Sequence, residues 1–288
     1  MVLESIAFGL VAATGLGISD VIATVLTRRY GVPRTVLGIQ FIAVVAFSFY
    51  LPVESGLGSI TGGEWLKLVG LSALLFSFIV GLYKALQLGP VAVISPILAA
   101  HTVIVVLLAV LFLDEHLGVW QFVGVAATIG GVVLASVDLR AMRSRQRVLG
   151  LGVLLSIGVS VGAGVWQFGI GAMSQDLGWF LPMYLSKVFM MVMITPVAVA
   201  RRAWPWHGMT KTVGAAIVVV ALLETGSNFA FARGAEIGLV SIVGAAATAY
   251  PVVPMLGGLF LFKESLAPNQ IVGVAILIAG LLGMALAP

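Results

Sequence analysis

The chain has 288 residues, 61% of them hydrophobic and only 9% charged, with a formal net charge of +4. A soluble domain carries about 25% charged residues, so a mean hydropathy of +1.17 excludes a water-soluble fold and leaves no room for a separate soluble domain of any size. Cysteine is absent, which excludes disulfides, thiol chemistry and sulfur-ligated metal.

Ten apolar runs follow one another, each near the length of about 20 residues that spans a bilayer as a helix. The first is Ser5–Leu26. It lacks a basic leader and a small-residue cleavage site, so it reads as a retained helix and not a signal peptide. Asp20 lies within it, on a polar stripe of Thr14, Gly17, Asp20, Thr24 and Thr27 at helical spacing. Tyr30-Gly31-Val32-Pro33 breaks the chain before Thr35–Leu51, and Gly56 to Gly63 before Trp65–Gln87. After Gly89-Pro90 comes Val91–Leu113, with Pro96 and His101 inside it. An acidic turn, Leu113-Asp114-Glu115-His116-Leu117, leads to the Gly-rich run Val119–Val137.

A basic linker over 140–147 then joins a first unit, 1–139, to a second, 148–288. Val148–Ile170 contains Ser156, Ser160, Ala163 and Gln167 on one stripe, with Trp166 beside it. Gly178 separates it from Trp179–Ala200, where Tyr184 and Lys187 share a face with Met191. The turn from Trp204 to Gly208 precedes Thr212–Ala232, which places Glu224, Ser227 and Asn228 together with Phe231 one turn on. Leu239–Phe262 contains Tyr250, Pro251 and Pro254. Ala267-Pro268 opens the last run, Pro268–Leu286.

The second unit repeats the first. Gly89–Ala135 moved forward by 149 positions falls on Gly238–Met284 without a gap, matching Glu115 to Glu264, Gln121 to Gln270 and Gly131 to Gly280. His101 and Tyr250 are equivalent at this spacing, whereas Asp20 has no counterpart, Ala163 being its nearest match. Five helices per unit is an odd number, so the second unit enters the membrane upside down. The expected fold is therefore all-α, an integral membrane bundle of ten transmembrane helices in two inverted five-helix repeats, an arrangement that secondary transporters use for alternating access.

Loop charge sets the orientation. Twelve lysines and arginines follow the odd-numbered helices, among them Arg28, Arg29, Arg34, Lys84, Arg201, Arg202, Lys211 and Lys263, against only Lys67 and Arg233 on the other side. The positive-inside rule then puts both termini outside and the basic linker in the cytoplasm, in the cytoplasmic membrane if the source is prokaryotic. These loop charges explain the net +4, and no nucleic-acid partner is expected. A membrane-bound monomer suffices for the architecture.

A charge inside the bilayer is costly and faces the bundle interior or a wet cavity. Asp20, Lys187 and Glu224 meet that description, with His101 a fourth polar group. Lys187 and Glu224 either hold opposite charges of a substrate or form a buried ion pair that locks two helices. His101 is a substrate contact or a hydrogen-bonded packing residue. Trp166, Tyr184, Asn228 and Tyr250 complete the candidate substrate-binding set, and Asp20 is the candidate for proton coupling. Pro96, Pro251 and Pro254 deprive earlier carbonyls of their helical partners, and interrupted helices at matching places in two repeats point to a binding site. Glu115 and Glu264 are expected to close turns at the membrane surface. No metal and no cofactor is expected: His101, His116 and His207 lack ligand spacing, and no enzyme motif is present.

The two acidic turns, each followed by Gln and Gly-Val-Ala, resemble the ten-helix EamA-type carriers of the drug/metabolite transporter superfamily. That resemblance covers essentially the whole chain. It implies export of amino acids and other small metabolites through a cavity lined by helices one, three, four, six, eight and nine. The family often has arginine in helices two and seven, where Gln40 and Lys187 stand here. Many of its members place both termini in the cytoplasm, opposite to the loop-charge reading. Ser19 to Arg28 is also similar to the first helix of small multidrug resistance transporters, where an acidic residue at the place of Asp20 binds protons and cations in turn. The leading expectation is thus an exporter of small polar or zwitterionic metabolites such as amino acids. The alternatives are a proton-coupled exporter of organic cations using Asp20 and, remotely, an intramembrane enzyme built on His101 and a serine.

Overall fold

The computed structural model describes residues 2–53, 56–88, 97–98, 100–137, 151–206, 208–253 and 267–286. These residues form α1 (Val2–Tyr30), α2 (Val32–Ser48), α3 (Gly62–Leu88), α4 (His101–Phe112), α5 (Val119–Ser136), α6 (Leu151–Leu177), α7 (Phe180–Ala200), α8 (Lys211–Ile237), α9 (Val240–Ala247) and α10 (Pro268–Leu286). No strand occurs among the described residues, and seven of the helices are long and apolar enough to cross a membrane. The basic linker 140–147, Pro96, Pro254, His207, Lys263 and Glu264 lie outside the described residues.

Several helices are longer than the apolar runs suggest. Gly171 is accommodated within the helix, and α6 continues to Leu177, after which Gly178 turns the chain at φ 77°. Similarly α8 runs to Ile237, and Arg233 and Glu236 pair along it at 2.6 Å instead of standing in a loop. Arg28 and Arg29 complete the last turn of α1, and Gly31, at φ 83°, makes the one-residue turn into α2.

The matched glutamines prove to be capping groups. Gln121 Oε1 accepts from the Gly118 N–H at 3.0 Å, and Gln270 Oε1 from the Ala267 N–H at 2.9 Å. Each satisfies one backbone donor left over where α5 or α10 begins. Near Pro251, which offers no N–H, the carbonyl of Ala247 takes instead the N–H of Tyr250 at 3.2 Å. The chain there tightens to three-residue steps, a 3₁₀-like rewinding that keeps the backbone satisfied in lipid.

Glu115 departs from its expected surface role. It is buried, and its carboxylate accepts the N–H of Val240 at 2.6 Å, the N–H of Ser241 at 3.1 Å and the Ser241 hydroxyl. A first-repeat acid thus caps α9 of the second repeat, where free amides and the helix dipole favour negative charge. The turn that presents it holds Asp114 at φ 50°.

The inverted symmetry is visible in the packing of glycines. A Cβ on Gly124 would lie 2.8 Å from the Gly280 carbonyl oxygen, and one on Gly131 would lie 2.6 Å from that of Gly273. Each contact becomes the other when its partners are exchanged through the 149-residue spacing. Residue numbers rise along α5 as they fall along α10, so these equivalent helices cross antiparallel. The equivalent runs that contain α4 and α9 also meet antiparallel, Thr102 bonding Thr248 and Val105 meeting Gly244. Equivalent helices that run antiparallel are the direct signature of an inverted repeat.

The first helices of the repeats follow a different register. Gly17 abuts the Tyr250 carbonyl and Val253 as Gly164 abuts the His101 carbonyl and Ile104, each added Cβ lying 2.6 Å from the carbonyl oxygen and 2.5 Å from the side-chain Cβ. Gly15 faces Leu223 and Ser227 as Gly162 faces Leu74 and Phe78. The partners remain 149 apart, but the glycines are 147 apart, so α6 is displaced by two residues relative to α1.

The crossing yields a stability prediction. Gly131→Ala places a methyl group against backbone and should destabilise by roughly 1–3 kcal/mol, the usual cost of overpacking. Gly130→Ala, with nothing within 4 Å of its added Cβ, should melt at or above the wild-type temperature, because alanine is the better helix former. Thermal unfolding in detergent checks both, and equal melting of the two variants contradicts the crossing.

Candidate functional site

A cavity of about 330 Å³ lies inside the bundle, within the range of about 300–1,000 Å³ usual for small-molecule sites. It is lined by Leu16, Asp20, Ala23 and Thr27 of α1, by Val36, Ile39 and Gln40 of α2, and by Leu75, Phe78, Ile79 and Leu82 of α3. Leu98 and His101 join from the start of α4, Val159, Ala163, Trp166 and Gln167 from α6, Lys187 from α7, Glu224, Asn228 and Phe231 from α8, and Ala247 and Tyr250 from α9 and its end. The structure thus brings together seven of the eight candidate residues. Gln40 and Lys187 add α2 and α7 to the six helices that the family resemblance implied.

Tyr184 is the exception. It is buried away from the cavity, its hydroxyl hydrogen-bonded to Ser48 Oγ at 2.8 Å and its ring stacked on Phe180 at 5.3 Å. Phe180 in turn packs on Phe229, Trp179 and Tyr50. This aromatic cluster fills the end of the bundle where α2 finishes and α7 begins. The cavity lies near mid-bundle: its lining falls in the second half of α1 and α3 and the first half of α2, but also in the first half of α7 and the second half of α8, nearer the aromatic cluster.

Charge within the cavity is committed in an informative way. Lys187 Nζ donates to Glu224 Oε1 at 2.6 Å, with side-chain exposures of 5% and 26%. Of the two arrangements open to these residues in sequence, the structure contains the ion pair. Lysine is the deeper partner and glutamate the one with residual access. Asp20 is exposed, and it lines the cavity. The lining therefore holds two carboxylates against one ammonium, a formal balance of −1.

His101 is fully engaged. Its Nδ1 lies 2.8 Å from the Leu98 carbonyl oxygen and its Nε2 2.8 Å from Gln167 Oε1. Both partners are acceptors, and a neutral ring has one N–H, so it donates to one of them and bonds the other nitrogen when Gln167 turns its NH₂ to it; the contact helps to anchor the start of α4 to α6.

The register offset gives Asp20 a counterpart that the uniform 149 spacing hides. With a spacing of 147, Leu16 corresponds to Ala163 and Asp20 to Gln167, while Tyr250 still corresponds to His101. Ala163 as the nearest match to Asp20 is thereby corrected. On the α3 side, Glu224, Asn228 and Phe231 correspond to Leu75, Ile79 and Leu82. Every ionisable acid of the lining belongs to the wall of α1 and α8, whose symmetry-related wall of α3 and α6 holds neutral residues in the matching places. The cavity is polarised although its scaffold is two-fold. Among the described residues no group of three or more His, Cys, Asp or Glu could hold a metal ion.

An inverted helical repeat around a charged cavity is an arrangement that secondary transporters use. Residues 3–137 match the model of the EamA-like transporter family. A solved crystal structure of a protein superposes with a TM-score of 0.75 at 17% identity, covering 98% of this chain and 96% of its own, which shows that the two share a fold. No curated protein matches the sequence.

The ion pair carries a testable consequence. Lys187→Met leaves Glu224 without its cation and should destabilise toward the lower end of the roughly 3–5 kcal/mol seen when a buried pair loses one member, since Glu224 keeps some access. The double variant Lys187→Met/Glu224→Gln should recover most of that loss in detergent melting. A double variant no more stable than Lys187→Met would argue against the pairing.

Proposed function

We propose that this chain is a secondary carrier of small amine-bearing metabolites that works by alternating access. The observation that supports this reading is the commitment of Lys187 to Glu224. With that ammonium engaged, a substrate entering the cavity meets the carboxylates of Asp20 and Glu224, both able to receive an ammonium group in a charge-assisted hydrogen bond. Trp166, Tyr250, Phe78 and Phe231 offer aromatic surface to its body, and an aromatic face attracts a cation further. The polarised walls set the orientation, with the ammonium toward α1 and α8 and the apolar body toward α3 and α6. A zwitterion such as an amino acid is the second reading. It requires Lys187 to leave Glu224 and take the substrate carboxylate.

Asp20 supports proton coupling within the same scheme. A carboxylate open to the cavity can bind an ammonium or a proton but not both together, so each displaces the other. The packed aromatic cluster around Phe180 and Tyr184 at one end of the bundle suits one end-state of such a cycle. Inverted symmetry supplies the opposite state by exchanging the conformations of the two repeats.

Proteoliposomes test the reading with three labelled compounds of one skeleton: phenethylamine, phenylalanine and phenylpropionate. Uptake driven by a pH gradient should favour the amine. Asp20→Asn should reduce that uptake by roughly 10–100-fold, the worth of a hydrogen bond to a charged group at about 1.5–3 kcal/mol, while exchange at equal pH survives. Transport of phenylalanine alone, abolished by Lys187→Met, would establish the zwitterion reading in its place.

A further inference from the structure

We infer that the corner where the α1–α2 turn meets the α7–α8 turn binds the headgroup of an anionic phospholipid, which thereby joins the two repeats. The two turns are neighbours in the structure. Tyr30 and Arg34 border the same small hollow as Pro205, Gly208 and Met209. A Cβ on Gly38 would lie 3.5 Å from that of Pro205, and the rings of Phe41 and Trp206 meet edge to face at 5.1 Å. These turns carry Arg29, Arg201, Arg202 and Lys211, all exposed, and the half-buried Arg34. The sequence has no acid from residue 21 to 53 or from 177 to 223, so the turns cannot neutralise themselves. The ion pairs among the described residues include none of these cations.

The surroundings suit a lipid better than a soluble anion. Trp204, Trp206 and Phe41 are 48%, 37% and 41% exposed beside the cations. Indole rings prefer the headgroup level of a bilayer, which sets the cations at the depth of lipid phosphates. A guanidinium takes a phosphate through paired N–H bonds, while the rings offer apolar surface to the start of an acyl chain. Arg202 adds a separate observation. Helix α7 ends in a Schellman turn, in which the Ala203 N–H bonds the Ala198 carbonyl at 2.8 Å and the Arg202 N–H bonds that of Val199 at 3.0 Å. Arg202 holds the left-handed place in this turn, at φ 48°, which glycine usually fills. Arginine strains the backbone there where glycine would not, and it adds a charge to the corner. The inference does not depend on what the cavity carries.

Native mass spectrometry of the purified protein tests it with three probes: dioleoylphosphatidylglycerol, dioleoylphosphatidylcholine and inorganic phosphate. A Lys or Arg near an anionic lipid surface is worth roughly fivefold in affinity, so wild type should bind phosphatidylglycerol at least about tenfold more tightly than phosphatidylcholine. Arg202→Gly should weaken phosphatidylglycerol roughly fivefold and leave phosphatidylcholine as it was. That variant should also melt at or above the wild-type temperature, so lost binding will not reflect unfolding. Lys67→Gln removes an exposed charge near the start of α3, at the opposite end of the bundle, and should bind both lipids like wild type. The site is overturned if the two lipids bind equally, or if Lys67→Gln loses as much as Arg202→Gly. Inorganic phosphate that displaces phosphatidylglycerol at equal concentration would overturn the lipid as occupant in favour of a soluble anion.

Discussion

The whole bundle depends on the close antiparallel crossing of α5 and α10. Their backbones approach so nearly at Gly124, Gly131, Gly273 and Gly280 that no side chain fits between them. In lipid there is no hydrophobic force to press helices together, so close van der Waals packing between small residues has to hold them. Because the four glycines exchange in pairs through the repeat spacing, one crossing fixes the two-fold relation of the halves. That relation then determines which faces of the remaining helices meet. Glu115 and Asn269 strengthen it from either side. The first caps α9 across the repeats; the second donates to the Leu134 and Val137 carbonyls at the end of α5, at 3.1 and 2.7 Å.

Symmetry of the backbone does not extend to the chemistry of the cavity. The two-residue offset of α6 against α1 sets Gln167 opposite Asp20 in the two-fold scheme, and Leu75 takes the place of Glu224. A symmetric scaffold with an asymmetric lining can present equivalent gates to both sides of the membrane while binding its substrate in one orientation. A fully symmetric lining would put equivalent charged groups on both walls and leave a ligand with a single charged end no preferred orientation.

Much of the fold could be read from the chain because its signals are local. Ten apolar runs, turn glycines at Gly31 and Gly178, and a gapless repeat over α4, α5 and their copies are properties of contiguous sequence. Asp20, Lys187 and Glu224 stood out since charge in an apolar helix has few places to go. What sequence hides is contact between distant segments. Tyr184 shares a helical face with Lys187, yet the ring turns to Phe180 and Ser48, and helical spacing cannot tell which neighbour will receive it. Glu115 looked like a surface turn residue because its partners, Val240 and Ser241, lie 125 and 126 positions away. The kinship of Asp20 with Gln167 was invisible since α1 and α6 share too few identities to reveal their register. Gln40, a lone amide among apolar residues, stands out in sequence only as a departure from an expected arginine. Its unpaired oxygen appears only when the helices are packed around it.

The functional account turns on Lys187 being a structural cation and not a substrate ligand. If so, its ammonium stays on Glu224 throughout binding, and the cavity keeps its acidic balance. The distance between a ¹⁵N-labelled Lys187 Nζ and a ¹³C-labelled Glu224 carboxyl carbon, measured by solid-state NMR in lipid with and without saturating phenethylamine, reports this directly. The account predicts the same short separation in both samples. A separation that lengthens when ligand binds would mean that Lys187 is released to the substrate, and would contradict it.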